Sequence, residues 1–122
     1  MHFKYFYVLW VVVICSSCQK KYPGCKITLP VNGQVFNGGE LVNIAVDMHD
    51  DGDALTGEAL FIVKQNNSLD TVINHQQNDF LFGKYTLNES FVCEPYMNYK
   101  ILALAWGGHG NKTVDSVLIK SN

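Results

Sequence analysis

The sequence predicts an all-β fold, an antiparallel β-sandwich of about seven short strands, preceded by a cleaved signal peptide. Three observations predict it. Apolar runs of strand length alternate with Gly, Asn, Asp and Ser clusters every ten residues or so; no 3.6-residue period persists through any of them; and a short uncharged segment stands ahead of the polar part of the chain.

The leading segment comes first. From Tyr5 to Cys15 the chain is uncharged and apolar, well short of the roughly 20 residues a helix needs to cross a hydrocarbon core. Lys4 ahead of it and Ser16-Ser17 behind it form the layout of a secretory signal, which removes residues 1–17. Cys18 stands where the cut falls. The ending "ICSSC" resembles the signal of bacterial lipoproteins, in which that cysteine is acylated and becomes the mature N-terminus. The resemblance implies a chain anchored to a bilayer by acyl chains, and not one that spans it. Residues 18–24 read as a polar tether and residues 25–122 as one domain.

Within the domain, "CKITLP" reads as a strand closed by Pro30, and Asn32-Gly33 and Gly38-Gly39 supply turns. "LVNIAVDM" alternates strictly, with Val42, Ile44, Val46 and Met48 on one face and Asn43, Ala45 and Asp47 on the other. "EALFIVKQ", "LDTVINH", "FLFGKYTL", "NYKILALAW" and "TVDSVLIK" follow, each bounded by turn residues. The segment "DMHDDGDALTGE" reads as a solvated loop between the second and third strands.

Composition excludes some functions. Past residue 17 the chain has eight Lys, no Arg and eleven carboxylates, a balance of −3, with no basic cluster of the kind nucleic-acid binding requires. Cys25 and Cys93 are consistent with either a disulfide in an oxidising compartment or two separate thiols, because sequence spacing carries no geometry.

From "KITLPVNGQVFNGGELVNIAVDMHDDGD" through "YKILALAWGGHGNKTVDSVLI" the chain resembles the bacterial Ig-like domain family of cell-surface proteins and lipoproteins. The features that carry the resemblance are the Pro30–Gly33 turn, Phe36, Gly39-Glu40, Asp51-Gly52, Tyr99, Ala103, Ala105 and Gly110-Asn111. It implies an Ig-like sandwich acting as a spacer, an adhesive unit or a carbohydrate-associated accessory. A fold of this kind does not name an activity.

The chemical motifs are weak. Asp47, Asp51, Gly52, Asp53 and Glu58 approach the spacing of an EF-hand loop, but His49 occupies its third position and the flanks read as strands, so no metal site and no cofactor are expected. No nucleophile motif or paired-carboxylate context points to catalysis, and the chain is expected not to be an enzyme.

The faces of the strands are more informative. The family pattern sends Tyr99, Ile101, Ala103 and Ala105 inward and Leu102, Leu104 and Trp106 outward. The same reasoning sends Ala59, Phe61 and Val63 inward, leaving Leu60 and Ile62 outside, with Leu118 outside on the last strand. Leu60, Ile62, Leu102, Leu104, Trp106 and Leu118 thus form a candidate partner-binding patch, unless the "LDTVINH" strand, the tether or "NESFVCEPYM" folds over it. The expected function is a lipid-anchored protein of the bacterial envelope, held at the outer membrane, whose domain binds an envelope protein or a second copy of itself. The second reading is a glycan-binding module using Trp106, His109 and Asn111 at one loop end.

Overall fold

The computed structural model describes residues 22–65, 71–77, 81–108 and 110–122, with side chains for all of these except residues 51–53, 81 and 82. Seven strands are present among them: β1 (Gly24–Leu29), β2 (Val35–Phe36), β3 (Leu41–Lys64), β4 (Thr71–Gln77), β5 (Leu81–Val92), β6 (Asn98–Gly107) and β7 (Lys112–Ser121). They form two layers. The first is β1-β3-β5 and the second is β4-β3-β6-β7-β2, so the 24-residue β3 belongs to both. The architecture is an Ig-like β-sandwich.

The expected loop at "DMHDDGDALTGE" is therefore continuous strand. β3 pairs with β5 through Asp50↔Gly83, the register breaks before a last pair at Leu55↔Leu81, and from Leu55 onward β3 pairs with β6. Asp and Gly favour turns, but its two halves lie in different layers and no reversal is needed to join them. The chain bends from one layer into the other. The expected second and third strands are the two halves of this one strand, and the short β2, which pairs parallel with β7, brings the number back to seven.

The turns fall where their glycines are. Gly33 and Gly39 have φ values of 83° and 85°, which a side chain disfavours. The second turn is tied down on both sides: Gly39 N–H donates to the Cys93 carbonyl at 2.8 Å, and Cys93 N–H donates to the Glu40 carbonyl at 3.1 Å.

Alternation along the first half of β3 is as read from the sequence. Val42, Ile44, Val46 and Met48 are buried, while Asn43 and Asp47 are exposed. β5 runs on past "FLFGKYTL" through Phe91 and Val92, because Leu87 and Phe91 continue its inward face. Phe91 meets Tyr99 edge-on with ring centroids 5.0 Å apart. The Tyr99 hydroxyl accepts the Glu94 N–H at 2.8 Å, closing the β5–β6 connection onto the core.

The sandwich has one side sealed by side chains. β1 pairs with β3 along one edge only, and its other edge faces β7. There Asp115 accepts the Ile27 N–H at 2.8 Å, and Thr113 donates to the Pro23 carbonyl at 2.6 Å. Nearby, Leu118 N–H donates to Asn32 Oδ1 at 2.9 Å. These bonds satisfy backbone groups that no strand reaches.

Candidate binding surface

The outward face of the second layer is assembled row by row by strand register. Residues directly opposite in antiparallel strands point to the same side. Phe61 pairs with Leu102, Ala59 with Leu104 and Gly57 with Trp106 on one flank of β6. Leu118 pairs with Lys100, Ser116 with Leu102, Val114 with Leu104 and Lys112 with Trp106 on the other. Leu102, Leu104 and Trp106 are half-buried, and Val114 and Leu118 are each 47% exposed. The outward positions expected for Leu102, Leu104, Trp106 and Leu118 are found.

Leu60 and Ile62 are corrected. Leu60 pairs with Ala103 and Ile62 with Ile101, both inward positions, and both side chains are fully buried in the core. Their places on the outer face are taken by Phe61 and Val63, which are half-buried. "ALFIV" is apolar at every position, so its alternation carries no sign of which face is inside. Only the register with β6 decides, and a one-residue slip reverses every side chain.

The described strands of the segments expected to cover this face do not lie over it. "TVINHQQ" is β4, hydrogen-bonded beside β3 in the plane of the second layer, and "NESFV" lies in β5 at the edge of the first. The described end of the tether is tucked against the end of the sandwich, where a Cβ added at Gly107 would meet Pro23 Cδ at 3.4 Å. The face carries lysines at Lys100, Lys112 and Lys120, and among the described side chains no carboxylate points outward from it. Asp115, the nearest in sequence, turns toward β1. The outer face of the first layer is different in kind: Asn43, Asp47, Thr86, Asn88 and Ser90 line it, with Thr86 Oγ1 3.2 Å from Asp47 Oδ1.

The described side chains just before the bend pack against neighbouring strands. The His49 imidazole lies over Gly24, where a Cβ would come within 1.9 Å of its ring, and Asp50 Oδ2 lies 2.7 Å from the position a Gly107 Cβ would take. Among the described residues no group of three or more His, Cys, Asp and Glu is placed to hold a metal. The side chains of Asp51 and Asp53, and all of His109 and Cys18, lie outside the described residues. Of the glycan reading's residues, Asn111 is joined to the strand end through its carbonyl, which accepts the Gly107 N–H at 2.8 Å, while Trp106 pairs with Lys112 on the outward face.

Cys25 and Cys93 are free thiols. Cys25 pairs with Met48, whereas Cys93 follows Val92, which pairs with Leu41. Seven residues of β3 separate those partners, about 23 Å at 3.3 Å per residue, far beyond the roughly 7 Å a bridge tolerates. Burial, and then the Asp115 carboxylate, push the Cys25 thiol up to about 11. The Cys93 thiol donates to the carbonyls of Asn37 and Glu40 at 3.1 and 3.4 Å.

Sequence reasoning missed an interior polar cluster. Glu58 of β3, His75 of β4 and Glu89 of β5 meet between the layers on the side where β4 and β5 are the edge strands. Glu58 is 1% exposed. The sequence reading placed it at the end of the solvated loop, whereas it lies within β3 on the inward face.

No family model matches the chain, and no curated protein sequence does. Solved structures resemble it. Fibronectin(III)-like modules of CbhA from Clostridium thermocellum superpose with a TM-score of 0.55 at 18% identity, covering 83% of this chain and 47% of that one, so this chain spans about half their length. Superoxide reductase (neelaredoxin) from Ignicoccus hospitalis gives a TM-score of 0.57 at 11% identity, covering 88% of this chain and 85% of that one. A CARDB domain from Pyrococcus furiosus, solved in complex with di-metal ions, gives 0.56 at 11% identity, covering 84% and 90%. At these identities the likeness is one of fold.

Proposed function

We propose that the chain is a lipid-anchored protein of the bacterial envelope whose single Ig-like domain is a non-catalytic binding module, and that the outer face of β4-β3-β6-β7 is its binding surface. The observation that carries the second part is the row of Phe61, Leu102, Leu104, Val114 and Leu118 on a sheet face that no described strand covers. A row of apolar side chains on an outward sheet face is the kind of surface that marks an interaction site. Support for the anchor comes from Lys4, the short apolar run and Cys18 behind Ser16-Ser17.

Each part has its own test. Mass spectrometry of the mature protein should find it beginning at Cys18 with acyl chains attached; an N-terminus elsewhere, or a Cys18 without lipid, refutes the anchor. Hydroxyl-radical footprinting on intact envelopes should find Phe61, Leu102, Leu104 and Trp106 protected relative to the detergent-solubilised protein. Equal labelling in the two states refutes the binding surface.

A further inference from the structure

We propose that the occupant of this face is the bilayer itself: the outer face of the second layer rests on anionic lipid headgroups, with Trp106 and the leucines entering the headgroup boundary and the lysines around them. The inference rests on the reading of Cys18 as the anchor and deepens it.

Charge gives the first reason. Past residue 17 the chain is net acidic, yet the face carries Lys100, Lys112 and Lys120 and, among the described side chains, no outward carboxylate. An apolar centre with a cationic rim and an aromatic residue at one end is the composition that binds negatively charged interfaces, because lysine stems lie along apolar surface while their ammonium groups reach phosphates. A second copy is a poor occupant. Two such faces packed together would bring lysine rims against each other with no carboxylate to answer them.

The tether gives the second reason. Thr113 donates to the Pro23 carbonyl at 2.6 Å and the Pro23 ring sits against Gly107, so the chain enters the domain one residue from both Trp106 and Lys112. From Cys18 to Tyr22 is four residues, which reach no more than about 14 Å. Acyl chains on Cys18 therefore hold the Trp106 end of the face at the membrane surface. Asp50, the described carboxylate of the bend, lies on the inward side of Gly107, away from the outer face.

The chain has two tryptophans, Trp10 within the segment removed as signal and Trp106, so the mature protein reports on this face alone. The acylated mature protein is reconstituted into vesicles of phosphatidylcholine with and without phosphatidylglycerol. Trp106 emission should shift to shorter wavelength and be quenched by brominated acyl chains when phosphatidylglycerol is present. Lys100→Gln with Lys112→Gln, checked by circular dichroism for an unchanged fold, should cut that quenching by at least about half, as should high salt. Absence of quenching in folded, vesicle-bound protein overturns the proposal. So does an acidic protein that co-purifies, shields Trp106 from the brominated lipid and is released by Leu104→Lys. A mature chain without lipid on Cys18 sinks the anchor reading only, and the same quenching measurement on that chain still decides this one.

Discussion

His75 Nε2 stands 3.5 Å from Glu58 Oε1 in the interior, and its other ring nitrogen stands 3.7 Å from Glu89 Oε1. The imidazole thus bridges a carboxylate from each layer, on the side of the sandwich where, among the described residues, β4 and β5 have no further strand beside them. Inward-pointing charge at sheet edges is one way a β domain resists pairing with another copy through exposed backbone.

Removing His75 leaves a carboxylate that is 1% exposed without its imidazole neighbour. His75→Ala should lower unfolding stability by about 2 kcal/mol, less than the roughly 3–5 kcal/mol for breaking a fully buried pair, because His75 keeps some access to solvent. Replacing both residues, Glu58→Leu with His75→Leu, should recover most of that loss in urea unfolding, while raising the tendency to aggregate.

Leu60 and Leu104 sit one row apart on opposite faces of the second layer, and equal substitutions should separate them. Leu60→Lys buries a charge in the core and should prevent folding; the milder Leu60→Ala should cost about 3 kcal/mol. Leu104→Lys should change stability by less than about 1 kcal/mol, since its side chain has solvent to reach. Thermal melts of the two lysine variants check the face assignment directly: equal losses would mean the outer face is covered.

Tyr99→Phe keeps the edge-on packing against Phe91 but removes the acceptor of the Glu94 N–H. Stability should fall by about 1 kcal/mol, and hydrogen exchange should quicken at the Glu94 amide before it does elsewhere in β6.

Cys25 should be a slow thiol. With its titration moved from 9.0 to about 11, far less thiolate is present near neutral pH, and alkylation of the native protein at pH 8 should run at least about tenfold slower than in the unfolded chain. The native state holds this proton more tightly than the unfolded chain does. Its contribution to stability is therefore complete below pH 9 and is lost as pH rises from 9 toward 11. Cys25→Ser should flatten that decline in a series of urea midpoints against pH.

Much of the fold was legible in the sequence because local chemistry decided it. The glycine turns at Gly33 and Gly39 need a left-handed backbone whatever surrounds them, and Val42, Ile44, Val46 and Met48 alternate with polar residues, which fixes their inward face. The faces of β6 were legible through the resemblance, whose pattern sends Tyr99, Ile101, Ala103 and Ala105 inward.

Tertiary structure decided what local chemistry left degenerate. "ALFIV" is apolar on both faces, so only pairing with β6 could bury Leu60 and Ile62 and turn Phe61 outward, carrying Glu58 inward with them. The Asp-Gly-Asp segment has turn chemistry, but its conformation was set by the partners on either side, β5 before the bend and β6 after it. The separation of Cys25 from Cys93 is likewise a matter of strand register along β3, a long-range quantity that residue spacing does not contain. Sequence by itself determined which segments are strands and where most of them turn; which side of the second layer is core, and hence which residues make its outer surface, was fixed by hydrogen bonding between strands about forty residues apart in the chain.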